Sequence, residues 1–177
     1  MLLTIINPVA GSSSAPQFFA EHVLPRLSGN VVRQTGRPCH AAQLVPDATP
    51  NTVIVGSGDS TLHEIINGID LAATPVDFVL VPCGTANALY VSLFPPQGEE
   101  DATYKLQSLE AYLENKPPRP LTIATTKISA EKTVRSCVVV STALHAWILK
   151  DSEALRASHP GTDRSVLSAD SGLTNCS

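Results

Sequence analysis

The sequence predicts an α/β fold: a doubly wound, mostly parallel sheet with helices on both faces, followed by the first strands of an antiparallel β unit. Four short runs rich in branched aliphatic residues, "LLTII", "NVVRQT", "NTVIVG" and "VDFVLVP", are each followed by a helical pattern. The runs are largely apolar at consecutive positions, as strands buried on both faces must be, and strands that alternate with helices build a parallel sheet. After residue 100 the pattern changes, and a β-type unit begins near residue 120. "LTIATTKI" and "RSCVVVSTALHAW" alternate like strands around the polar "SAEKT", which reads as an antiparallel hairpin.

Each element has its own signal. The first strand, residues 2 to 6, ends in "NPVAGSSSAP", where Asn, Pro, Gly and Ser accumulate as turn residues. "PQFFAEHVLPRL" reads as one helix with Pro16 in its first turn and Phe19, Val23 and Leu27 at helical spacing. "HAAQLV" predicts a brief helix after the second strand. "TLHEIINGI" puts Leu62, Ile65, Ile66 and Ile69 on one stripe, and "GTANALYVSLF" supplies the helix after the fourth strand. "ATYKLQSLEAYLENK" is an amphipathic helix with Leu106, Leu109 and Leu113 on its apolar side, closed by "PPRP". The expected organisation is an α/β domain over residues 1–118, strands of a β unit over 119–156 and a polar, disordered tail over 157–177.

Composition excludes several classes of function. A net charge of −4 without a Lys/Arg run gives no electrostatic footprint for nucleic acid. No apolar run approaches the ~20 residues of a membrane-spanning helix. "MLLTIINP" lacks the charged n-region of a signal peptide, so a cytosolic location is expected. The four cysteines, Cys39, Cys83, Cys137 and Cys176, show no CxxC spacing and read as free thiols rather than a zinc site.

Ligands of parallel sheets bind at the carboxyl ends of the strands, so the loops to inspect are "NPVAG", "QTGRP", "GSGDST" and "PCGTAN". Each taken alone is an ordinary turn. Together on one sheet edge they offer Gly56 and Gly58 in the central loop for close backbone approach, a further glycine each in "PCGTAN" and "NPVAG", and helix-opening amides for phosphate, a nucleotide cradle. The central loop fits none of three familiar motifs. It lacks the lysine of a Walker A loop, and Thr61 stands where a dinucleotide fingerprint needs its last glycine or alanine. "GDSTL" resembles a serine-hydrolase block, but no DxxH follows to supply acid and base.

"INPVAG", "SGDSTLHEIINGI" and "PCGTANAL", in this order, resemble the catalytic domain shared by diacylglycerol, sphingosine and ceramide kinases. "QTGRPCHA" and "SEALR" look closest to the sphingosine kinases, and the resemblance covers residues 2 to about 156. It implies an ATP-dependent lipid kinase with Mg²⁺ present, acting on a sphingoid base or diacylglycerol at a membrane surface. Asp59 then matches the general base. Asn7, Pro8, Val9, Gly11, Thr35, Ser57, Gly58, Ser60, Thr61, Glu64, Gly84, Thr85, Ala86 and Asn87 match nucleotide contacts. Arg156 matches a phosphate-reaching arginine and Asp151 a contact to the lipid headgroup.

From the residues alone, other readings stand beside these. Asp59 reads equally as a helix N-cap, Glu64 as a first-turn carboxylate favoured by the helix dipole, and Arg156 as a surface arginine. His63 reads as an ordinary helix residue, His40 and His145 as packing or turn residues, and Trp147 as core. Two departures from the family's pattern matter. Ser60 stands where the motif has glycine, which carries strain if the turn needs a positive φ. The chain also ends where the family continues into a β-sandwich, so a weakened lipid site is expected, with association through the exposed hairpin or a catalytically inactive nucleotide-binding module as alternatives.

Overall fold

The computed structural model of the protein describes residues 1–73, 75–98, 101–138, 150, 152–155 and 158–159. The chain divides into two units at Val138/Val139. In the second, the described residues include a 3₁₀ turn, Glu153–Leu155, whose last carbonyl accepts the amides of Ser158 and His159.

The first unit is built on four parallel strands: β1 (Leu2–Ile6), β2 (Asn30–Gln34), β3 (Thr52–Ser57) and β4 (Asp77–Pro82), in the order β2-β1-β3-β4. Register is continuous, with Ile6 opposite both Gln34 and Gly56, and Gly56 opposite Val81. β1 and β3 are central, and all but their first residues are buried, which explains their largely apolar sequence.

Successive residues face opposite sides of the sheet. Ile6, Ile54, Val79 and Val81 pack with Phe19 and Val23 from the β1–β2 connection and with Leu106 and Leu109 from the chain after β4. Leu3, Ile5, Val53 and Val55 pack on the other face against α2 (Ala41–Ala48) and α3 (Asp59–Gly68). The stripe expected on α3 is observed: Leu62, Ile65, Ile66 and Ile69 are all buried. The chain thus leaves β1 on one face and β3 on the other. A crevice opens at that reversal, beyond the carboxyl ends of the two strands.

Several helices differ from the sequence expectation for local reasons. The first is short, α1 (Ala15–Phe18), and continues as a π-helical segment, Phe19–Val23, and a 3₁₀ turn, Leu24–Arg26. Pro25 has no N–H to give to the carbonyl four residues back, and its ring crowds that carbonyl. α2 runs to Ala48, past Pro46, and ends at Thr49 in the left-handed region. α4 begins at Ala88 (Ala88–Leu93), because residues 84–87 form a closed loop. The amphipathic segment after residue 101 is broken at Leu106 (φ −97°, ψ −1°) into α5 (Ala102–Lys105) and α6 (Gln107–Leu113). The break turns Ser108 toward the open edge of β4, where its hydroxyl accepts the Leu80 amide.

The antiparallel hairpin is present as β5 (Ala124–Lys127) and β6 (Thr133–Ser136), shorter than the sequence runs suggest; residues 139–147 lie outside the described residues. It docks on α3. The Asn67 side chain donates to the Arg135 carbonyl and accepts the Arg135 amide, both at 2.9 Å. The Arg135 guanidinium in turn donates to the carbonyls of Ile66 and Ile69 at the carboxyl end of α3, where a cation is favoured.

Candidate functional site: a cleft of three touching loops

The loops after β1, β3 and β4 converge at the crevice. The Asn7 amide donates to the Gly56 carbonyl, and the Cys83 amide to the Ser57 carbonyl, so each loop leaves its strand already tied to its neighbour. The Asn7 side chain accepts the Val9 amide at 3.1 Å, an Asx turn that bends "NPVAG", and donates to the Thr61 hydroxyl at 3.3 Å. Thr61 shares a 2.6 Å hydrogen bond with Ser57. Both hydroxyl residues are buried, so they support the loops from beneath.

Backbone contact between the loops depends on glycine. Gly11 has φ +54°, and a Cβ there would lie 2.5 Å from the Cys83 carbonyl oxygen. A Cβ on Gly84 would overlap the Gly58 Cα. Side chains at these positions would force the three loops apart. Asn87 closes the last loop: its side chain accepts the Gly84 amide and donates to the Gly84 carbonyl, while its own backbone sits at φ 49°.

Asp59 stands at the junction. It is the first residue of α3, yet its carboxylate reaches across to α4, with Oδ2 accepting the Ala88 amide at 2.7 Å and Oδ1 the Leu89 amide at 3.0 Å. It therefore caps the helix after the neighbouring strand, not its own, and α4 needs no cap from Asn87. An ionised carboxylate offers about four lone-pair positions. Two of them remain for other partners.

The other expected residues fall around this point. Pro8 is half-buried and Val9 is 76% exposed at the tip of the first loop. Thr35, half-buried, continues β2 by donating its amide to the Ile6 carbonyl. Gly58 precedes α3, and Ser60 and Glu64 lie on it, with Glu64 making no side-chain hydrogen bond among the described residues. Thr85 and Ala86 are exposed on the last loop. Asp151, Arg156, His145, Trp147 and Cys176 lie outside the described residues. His40 serves a turn, its Nδ1 accepting the Gly36 amide at 3.0 Å.

The strain expected at Ser60 is absent. Ser60 is the second residue of α3, so its backbone is helical, and positive φ near the site falls at Gly11, Ser13 and Asn87 instead. The motif position that could demand glycine is a helix position here, and serine is accommodated in the first turn of a helix.

Two thiols report on the surroundings. Burial pushes the Cys83 thiol up to about 11, with the positive charge of Lys105 pulling the other way. Burial also raises Cys137, and the negative charge of Asp59 adds to it. Cys137 packs with Leu121 and Ile123 against Leu62, Ile66 and Leu89, so the hairpin end covers the flank of the site. Lys105 and the Asn67–Arg135 clamp are additions the local sequence pattern did not signal.

Mg²⁺ usually keeps several waters and takes one or two carboxylates plus substrate phosphates. Among the described residues no group of three or more His, Cys, Asp or Glu is placed to hold a metal. The donor set, one carboxylate with unused acceptor positions beside loop backbone amides, fits an ion that arrives with a bound anion and not a protein-caged one. Among the same residues no helix is long and apolar enough to cross a membrane.

The family described as diacylglycerol kinase catalytic domain matches residues 1–134. Human sphingosine kinase 2 is 36% identical over 103 residues, covering 50% of this chain and 15% of the relative. Human sphingosine kinase 1 is 32% identical over 114 residues, covering 58% and 30%. Sphingoid long chain base kinase 5 of Saccharomyces cerevisiae is 30% identical over 104 residues, covering 51% and 15%. The chain thus spans less than a third of the length of these curated relatives. A solved diacylglycerol kinase from Bacillus anthracis str. Sterne, 24% identical, has the same fold, with a TM-score of 0.51 over 62% of this chain and 39% of that one.

Proposed function

The chain belongs to the diacylglycerol kinase catalytic domain family, and on that premise we propose that its loop cleft holds ATP and passes the γ-phosphoryl group to the hydroxyl of a lipid. The observation that carries this reading is the contact of three strand-end loops through Gly11, Gly58 and Gly84, with one carboxylate, Asp59, at their junction. Phosphoryl transfer asks a protein mainly for positioning and for neutralisation of charge. Backbone amides beside Gly58 and Gly84 supply donors, Asn7 and Thr35 frame the crevice, and Glu64, Thr85, Ala86 and Arg156 complete the nucleotide contacts.

An alcohol is a weak nucleophile at neutral pH, and a carboxylate that takes its proton as the new P–O bond forms contributes typically ~10²- to 10⁴-fold. Asp59 has the geometry for that role: two lone pairs hold it in place on α4, and two remain for a lipid hydroxyl. Mg²⁺, when bound on the nucleotide, shields the negative charge of the transferred group. The hold of α4 also fixes the aim of the carboxylate. Sphingoid bases are the favoured acceptors, because relatives that overlap this chain are named for that substrate class. Asp151 would then meet the headgroup, at a membrane surface.

One observation favours a second reading, a nucleotide-binding module without transfer: both oxygens of Asp59 already serve α4. Transfer of radiolabelled phosphate from ATP to sphingosine and to diacylglycerol, by wild type and D59N, separates the two. The kinase reading expects labelled sphingosine phosphate from wild type and a loss of roughly 10²-fold or more in D59N. Equal transfer by D59N ends the general-base role. ATP-dependent thermal stabilisation of wild type without labelled lipid selects the module.

A further inference from the structure

A polar cavity of about 120 Å³ opens beside the loop cluster, between the turn after Gly11, residues 82–87 and α5. Ser12, Ser14, Thr85 and Lys105 line it together with Cys83 and the Phe18 ring. Lys105 is half-buried and forms no ion pair among the described residues. Its Nζ lies 5.6 Å from the centroid of the Phe18 ring. An ammonium group has three donors and no acceptor, and no carboxylate among the described residues takes up those of Lys105. The Cys83 thiol on the cavity wall feels the charge of Lys105, so the field of the ammonium reaches into the cavity.

We propose that this cavity is an anion subsite for a phosphate group, with Lys105 as its cation and the Ser12 and Ser14 hydroxyls beside it. The inference rests on the reading of the loops as a nucleotide cleft, and it names the residue that neutralises phosphate charge there. Size agrees with the assignment. About 120 Å³ leaves room for a phosphate group. Position agrees as well: Gly84, whose backbone touches both Gly11 and Gly58, lines the cavity wall, so a phosphate there adjoins the loop cluster.

The test titrates wild type, K105Q and K105R with ATP, pyrophosphate and adenosine, and melts each protein without ligand. K105Q is expected to melt like wild type and bind adenosine unchanged, but to bind ATP and pyrophosphate about tenfold more weakly. K105R, which keeps the charge, stays within about threefold of wild type. Unchanged ATP and pyrophosphate binding by K105Q overturns the subsite and leaves the nucleotide reading standing. Equal losses for adenosine and ATP also overturn it, since a packing role would weaken every ligand. Pyrophosphate binding by wild type that depends on Lys105, without ATP binding, supports the subsite and ends the nucleotide reading.

Discussion

Asp59 has a structural duty, and the proposed transfer would add a chemical one. Its carboxylate caps α4 with two acceptor positions and presents two more to the cleft. The D59N variant therefore reads two quantities. An amide keeps one acceptor but turns an N–H toward an N–H of α4, so a loss of about 1 kcal/mol of stability is expected beside the loss of transfer. Denaturant melts measure the first and phosphate transfer the second. A second residue-scale expectation concerns alkaline pH. Burial raises Cys83 from 9.0 to about 11 and Tyr90 from 10.0 to about 12. Between about pH 9 and 12 the unfolded chain loses protons that the folded one keeps, so stability falls as pH rises through that window. Below pH 9 both groups are protonated in either state and contribute no slope. Melting temperatures of wild type, Cys83→Ala and Tyr90→Phe across pH 8 to about 12 check the sign: each substitution should flatten the decline.

Among the elements, α3 is the best case for reading structure from sequence. Its stripe of Leu62, Ile65, Ile66 and Ile69 is a local pattern, and all four side chains are buried. The two central strands were legible for a similar reason, since burial on both faces writes itself as a near-continuous apolar run, while the edge strand β2, with no buried residue, showed only the pair Val31 and Val32. The break at Leu106 was not, because Leu106, Leu109 and Leu113 keep helical spacing across it. Nor was the cross-cap, because Asp59 and its partners lie 29 and 30 residues apart and no local period links them. The hairpin clamp is longer still, with Asn67 and Arg135 68 positions apart. That clamp holds the carboxyl end of the helix whose first residue is Asp59. Asn67→Ala removes two hydrogen bonds to the β6 backbone, each worth about 0.5–1.5 kcal/mol. Hydrogen exchange should then quicken over Thr133–Ser136 and leave β1 protected; unchanged exchange in β6 would show that the hairpin is held by its apolar contacts alone.

At the scale of the first unit, the sheet separates two cores that share the same strands. Ile54 belongs to the core under Phe19 and Leu109, while its neighbours Val53 and Val55 belong to the core under α2 and α3. Neither side can loosen without bending β3, and β3 delivers Gly56, Ser57 and Asp59 to the cleft. A cavity on one side should therefore be felt on both. Ile54→Ala removes a fully buried side chain, a change that costs about 2–5 kcal/mol. At roughly 2–4 °C of melting temperature per kcal/mol, the midpoint should fall by about 4–20 °C in a single transition. Hydrogen exchange should quicken together in the segment Phe19–Val23 on one face and in α2 on the other. Loss of protection confined to the Phe19 side would show instead that the two cores open independently, and that the cleft is held by the α2–α3 face without help from the other.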